Sequence, residues 1–264
     1  MNEYVTDCQS ERHRVSVVIP CYNHGDFLGE TVDSVRAQDY ADIEIIVVND
    51  GSTAPSTLRV LTALESDVIL IERPNQGLAA ARNRGIQAAT GIYMLPLDAD
   101  DKIAPDFVRK AVNAMDGDDN VGIVYGQTEL FGSKSGSWPL PAYSMPEILF
   151  ENMIVATALF RRSDWQRVGG YRQSMVHAWE DWDFWLAIIA TGREVVRLDD
   201  AVFYYRISAS SMTNRLSLAQ KLSMMMKIVM RHRRLYLANP GAVMHRLINP
   251  AMRTIADPRS GKKC

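Results

Sequence analysis

Residues 92–102 read IYMLPLDADDK. An apolar run stops abruptly at three carboxylates, Asp98, Asp100 and Asp101. The run reads as a buried strand, and the acids mark the point where it surfaces. Carboxylates this close repel, and each raises its neighbour's pKa. The strand exit therefore calls for a compensating cation, a basic neighbour or open water.

The same rhythm extends on both sides. VSVVIP (15–20), IEIIVV (43–48), VILI (68–71) and VGIVYG (121–126) are further short apolar runs. Helical patterns separate them. Leu28, Val32 and Val35 share one helical face, and Leu58, Leu61 and Leu64 mark a shorter helix. GLAAARNRGIQAAT (77–90) has high intrinsic helix propensity. Phe107, Val108, Ala111, Val112 and Met115 line a fourth helix. Strands that are apolar throughout and alternate with helices predict a parallel sheet covered on both faces. Beyond 126, GSKSGSWPLPAYSMPE (132–147) reads as a loop, followed by a helix near 145–152. DWDFWLAIIATG (181–192) predicts a helix stopped by Gly192. EVVRL (194–198) and VFYYRI (202–207) are β-like, and the chain is helical in pattern, Met-rich and basic from 216.

Composition excludes several classes. The chain has 264 residues, 47% hydrophobic and 23% charged, with a net charge of −2. Nothing in that balance proposes nucleic acid as a partner. Cys8, Cys21 and Cys264 show no CxxC spacing, so a reducing compartment is the expectation. The polar N-terminus lacks the apolar core of a secretory signal, and no apolar run is long enough to span a bilayer. Neither GxGxxG nor GxxxxGK[ST] occurs, which argues against a dehydrogenase or a P-loop NTPase.

Ligands of parallel α/β sheets bind outside the carboxyl ends of the strands. Each end here is polar: Pro20-Cys21-Tyr22-Asn23, then Asn49-Asp50-Gly51-Ser52, Arg73-Pro74-Asn75-Gln76-Gly77, and Asp98-Ala99-Asp100-Asp101. Paired carboxylates suit a hard divalent cation with phosphate oxygens as co-ligands. The backbone around Gly77 opens the helix that carries Arg82, a natural anion site. Asp50 is a good acceptor for an N–H or hydroxyl of a nucleoside. Asp101 reads as turn chemistry, as NDGS would if it stood alone.

These pieces, VSVVIPCYNHGDFLGETVDSVRAQDY, IEIIVVNDGST and NQGLAAARNRGIQAATGIYMLPLDADD, resumed by GGYRQSMVHAWEDWDFWLAIIATG (169–192), resemble the family 2 glycosyltransferases. The resemblance implies the A-type glycosyltransferase fold, α/β and Rossmann-like, with a mostly parallel central sheet and a helical C-terminal tail. It implies a nucleotide-sugar-binding half (14–126), an acceptor-binding half (127–213) and the tail (214–264). It implies a nucleotide-sugar donor, usually a UDP-sugar, and inversion at the anomeric carbon. Pro20, Tyr22, Asn23, Asp50, Asn75, Arg82 and Asp98 become donor-binding candidates. Asp100, assisted by Asp98, becomes the ligand of Mn2+ or Mg2+. Among Glu180, Asp181 and Asp183, the family pattern puts the general base at Asp181, which as bare sequence could equally cap its helix. Trp179, Glu180 and Trp182 are acceptor-side candidates, Trp182 being as well suited to the core by its helical spacing.

One departure concerns the metal site. Many relatives carry a His in a Tyr-Arg-x-His segment, where this chain has Ser208; His177 is the candidate substitute. The expected acceptor is a carbohydrate, glycolipid or glycoprotein, in polysaccharide or glycoconjugate synthesis. The expected location is cytoplasmic. The tail reads chiefly as a helix packed on the acceptor half, its methionines filling core gaps, with peripheral membrane contact as the other reading. Two rival functions remain: an aspartyl phosphotransferase, disfavoured because Asp-x-Asp follows the fourth strand, and a non-catalytic sugar-nucleotide-binding or scaffold protein.

Overall fold

The computed structural model describes residues 13–176, 178–207 and 217–248. The first four strands are β1 (Val15–Cys21), β2 (Ile43–Asp50), β3 (Val68–Arg73) and β4 (Tyr93–Pro96). They pair in parallel in the order β3-β2-β1-β4. Their connections are α1 (Gly25–Arg36), α2 (Pro55–Thr62) and α3 (Leu78–Ala88). This half is the architecture that the apolar runs predict. β1 is buried at every position, as a central strand with helices on both faces must be.

Beyond β4 the sheet turns mixed. β5 (Lys102–Ile103) and α4 (Phe107–Gly117) lead to β6 (Val121–Gly132), which runs past its expected end. β7 (Gly136–Trp138) folds back on β6 as a short hairpin, where the sequence reads as loop. α5 (Met145–Ile148) is shorter than expected. β8 (Ala158–Arg161), which no pattern announced, inserts antiparallel between β4 and β6 and joins the two halves. α6 (Arg162–Val168) and α7 (Glu180–Ile189) follow. The two β-like runs after α7 form one strand, β9 (Glu194–Ile207). A bulge absorbs the polar LDDA between them: Gly126 faces Leu198 and Gln127 faces Val202, so residues 199–201 stand out of register. Gly126 permits this, since a Cβ there would meet Ala201 O at 2.4 Å.

β9 does two things for the site. It pairs parallel with β6, and its far end pairs with β5. The turn that carries Asp98–Asp101 is thereby clasped between β4 and β9. Thr31 of α1 adds a second clasp, its Oγ1 lying 2.9 Å from the carbonyl oxygens of both Ala99 and Asp101.

The C-terminal helices are α8 (Leu218–Arg231), α9 (Arg233–Ala238) and α10 (Pro240–Ile248). Met224 and Ile228 of α8 are buried, whereas Met226 and Met230 are exposed. The expectation that the tail methionines fill the core therefore holds for one face of the helix only. Among the described residues, no helix is long and apolar enough to cross a membrane.

α3 can approach the sheet closely because of Gly85. A Cβ at this position would lie 2.3 Å from Val18 Cγ1 and 3.1 Å from Val48 Cγ2. Gly85→Ala is expected to cost about 1–3 kcal/mol through overpacking, measured as a lower midpoint in thermal unfolding.

Candidate active site at the strand ends

The four parallel strands deliver their polar ends to one edge of the sheet. At the end of β1, Tyr22 is half exposed, while Pro20 is buried within the strand beside Val48. Asn23 adopts φ 57°, and its Oδ1 accepts the N–H groups of Thr53 (2.8 Å) and Ala54 (2.9 Å) at the head of α2. Its own N–H donates to Ser52 Oγ. Pro20, expected to touch a donor, lies inside the sheet; Asn23 is exposed, and its carboxamide oxygen ties two loops together.

Asp50 ends β2 and is buried. Its carboxylate accepts from the backbone N–H of Gln76 (3.1 Å) and Gly77 (2.8 Å) and pairs with Arg73 Nε at 3.2 Å. It closes the 74–77 loop against the sheet and starts α3. Asn75, at the tip of this loop, is exposed. Gly51, with φ 73°, lets the loop pass close by, since a Cβ there would meet Asn75 N at 2.6 Å.

The three acids after β4 have three different environments. Asp98 binds Arg82 Nη2 at 2.7 Å. Asp101 is buried and accepts the N–H of Arg206 from β9 at 2.8 Å. Asp101 therefore does more than make a turn: it holds β9 to the strand exit. Burial and the charges of Asp100 and Asp98 push its carboxyl well up. Asp100 keeps its carboxylate turned to a part-exposed site. Its ion-pair partner among the described residues is His24, with Nδ1 3.9 Å from Oδ1. Burial and the neighbouring Asp98 raise its pKa. The surplus negative charge of the opening motif is thus concentrated on Asp100.

Arg82 connects this edge to α7. It is almost wholly buried, with Nη1 2.7 Å from Glu180 Oε1, Nη2 on Asp98, and the guanidinium 5.5 Å from the centre of the Tyr171 ring. The two carboxylates hold it fully charged against burial. Glu180 is spent in this bridge and buried, so it does not serve as an acceptor-side group. Trp182 is also corrected: it is buried, and its Nε1 donates to Ile148 O at 2.7 Å. Its apolar face packs in the core, which leaves no ring surface for a sugar. Trp179 is half-buried at the head of α7, with φ 66°.

The structure separates the three acids of WEDWD. Asp183 is buried and bound to Arg231 and His232 at the end of α8. Glu180 is taken by Arg82. Asp181 is half-buried, accepts from Asn152 Nδ2 at 3.1 Å, and takes the N–H of Trp182. Burial, then the charge of Glu180, push its carboxyl up to about 7. His177 and Ser208, the two candidates to complete a metal site, lie outside the described residues. The described residues hold no group of three or more His, Cys, Asp or Glu placed to bind a metal. Asp98 and Asp100 fit a hard divalent cation whose remaining ligands come from elsewhere, such as phosphate oxygens.

The family model for glycosyl transferase family 2 matches residues 16–178. The chain belongs to this family. Among curated relatives, the chondroitin synthase of Pasteurella multocida (strain Pm70) is 30% identical over 187 residues, 68% of this chain. The match spans only 19% of that synthase. The structure of S. aureus TarS 1–349 in complex with UDP-GlcNAc superimposes with a TM-score of 0.66 at 16% identity, over 85% of this chain and 73% of that one. The mannosyltransferase PcManGT of Pyrobaculum calidifontis, in complex with GDP-Man and Mn2+, gives 0.63 at 23% identity, over 93% and 77%. The fold of this chain is the A-type glycosyltransferase fold.

Several groups at this edge were not singled out from sequence. Arg73 beside Asp50 sits in a strand-end segment that the pattern does mark, and His24 beside Asp100 directly follows one. Arg206 lies in the quoted YYR, yet its backbone role depends on β9 pairing with β5. Asn152 carries no sequence signal. Arg82→Met is expected to destabilise the protein by about 3–5 kcal/mol, because it leaves Glu180 buried without its cation. Arg82→Lys should restore little, since one ammonium cannot replace the fork that spans two acids. The urea unfolding midpoint reports both.

Proposed function

We propose that this domain transfers a sugar from a UDP-sugar to an acceptor hydroxyl with inversion, with Asp181 as general base. The observation that carries the reading is the Arg82 bridge, which fixes the head of α7 to the end of β4. Asp181 thereby stands over the same cleft as Asp98 and Asp100, on the only one of the three WEDWD positions whose acid is not spent in an ion pair among the described residues.

The donor side follows from the strand ends. Tyr22 is the exposed ring available to stack on a base. Asp50 and the loop it closes, with Asn75 at the tip, form the wall beside it. Asp98, held by Arg82, faces the ribose and diphosphate, and Asp100 is the carboxylate left to hold Mn2+ or Mg2+. When bound, that cation would neutralise charge growing on the leaving diphosphate. Asp181 takes the proton of the attacking hydroxyl. A pKa near 7 suits this role, because a large share of the base is ionised near neutral pH while it stays basic enough to accept a proton. The acceptor is a carbohydrate or a glycoconjugate, in line with the polysaccharide synthase among the relatives, and the site of action is the cytoplasm.

Calorimetry with UDP, GDP and dTDP, with and without Mn2+, tests the donor side. UDP is expected to bind best and to need the metal, and Asp100→Asn to lose that dependence. Binding of GDP alone, or metal-independent binding, would refute the assignment. For the base, Asp181→Asn is expected to lower kcat by about 10²–10⁴-fold. The wild-type rate should rise with pH through about 7, as Asp181 ionises.

The same group leaves a mark on stability. Its folded pKa of about 7 lies above the ordinary 3.8, so between these values the folded state holds a proton that the unfolded state has lost. Its contribution is present below pH 3.8 and disappears as pH rises to about 7. Asp181→Asn is therefore expected to unfold at a higher temperature than wild type at pH 8, with the gap closing near pH 4. Equal melting temperatures at both pH values would count against the raised pKa.

A further inference from the structure

α8 is apolar on two opposite faces. Met224 and Ile228 point into the protein, and the buried Asp183 fastens the end of the helix through Arg231 and His232. On the other side Leu218, Leu222, Met226 and Met230 recur every four residues, 73%, 61%, 60% and 64% exposed. A helix that rests on a globular protein needs one apolar stripe, and the opposite face is ordinarily polar. Exposed apolar side chains continue on the following helices at Leu237, Met244 and Ile248. A contiguous bare stripe of this kind marks a surface that is covered in use.

Charge decides what covers it. Residues 217–248 contain six Lys or Arg and no Asp or Glu. Lys221, Arg233 and Arg234 are exposed. A second copy laid helix to helix would bring the same excess of cations and, from 217–248, no acid to pair with them. An anionic bilayer surface supplies both what the stripe lacks, an apolar interior and negative headgroups. We infer that α8 docks this protein on anionic lipid, with Leu218, Leu222, Met226 and Met230 inserted at the level of the headgroups.

The docking is mechanically joined to the site. Lys227 Nζ donates to Ser174 O at 2.8 Å, just before α7, and Arg231 and His232 grip Asp183 two residues after Asp181. The helix that lies on the lipid therefore also braces the helix that carries Asp181. This inference goes beyond the donor chemistry and does not depend on it.

Flotation of the full chain with vesicles of phosphatidylcholine, with and without phosphatidylglycerol, tests the inference. Wild type is expected to float with the anionic vesicles only, and less so at high salt, where screening shortens to a few ångströms. Leu222→Glu combined with Met226→Glu should lower the bound fraction at least about tenfold, with an unchanged circular dichroism spectrum. Absence of wild-type binding, equal binding to neutral vesicles, or equal binding by the double variant overturns the inference. So does a dimer by light scattering that the variant dissolves without any lipid binding. UDP binding is measured in parallel without vesicles: its loss in wild type would defeat the proposed transfer reaction and leave the lipid result standing.

Discussion

A single buried guanidinium organises the site. Arg82 lies between two acids from distant parts of the chain, Asp98 after β4 and Glu180 at the start of α7. Burying that charge is costly, and the cost is offset only if both forks of the group are met. The bridge therefore permits one relative placement of β4 and α7. Gly85, one turn further along α3, lets the helix sit close enough for the arginine to reach both. Asp181, next to Glu180, is brought near Asp98 by that placement.

Asp98, Asp100 and Asp101 show how one acidic cluster divides its labour. The first is neutralised by Arg82, and the last is buried against a backbone N–H of β9. Only the middle one keeps an unbalanced charge in a part-exposed position. WEDWD divides in the same way: Glu180 and Asp183 anchor α7 to its neighbours, and Asp181 between them is left in an environment that disfavours its ionised form. In both motifs the outer acids fix the frame, and the remaining acid is part-exposed with its charge poorly compensated.

The parallel half of the fold was legible in the sequence because its strands are buried on both faces and its helices carry regular apolar stripes. The strand-end rule then singled out four polar segments, which the parallel pairing brings to one edge. What escaped was set by tertiary pairing. β8 is four residues long and shows no period, and β9 runs through two aspartates because a bulge removes them from the ladder. Glu180 and Trp182 looked like acceptor-side groups since sequence alone cannot show that Arg82 and the Ile148 carbonyl claim them. The tail was legible in its composition, but the bare second face of α8 appears only once the first face is seen to be filled.

The span of these ties along the chain has a consequence for folding order. Arg82 and Glu180 are 98 positions apart, and Asp183 and His232 are 49 apart. A nascent chain that has emerged only through β4 holds a strong cation with one of its two acids still unsynthesised. The head of α7 is secured in turn only after the end of α8 exists. Long-range closures of this kind come after local structure, since chain entropy must be lost before the contact can reward it. The strand-end edge can thus take shape early, while the head of α7 is secured only by the end of α8, so a chain cut short before residue 232 would keep much of the sheet but leave Asp183 without its two partners.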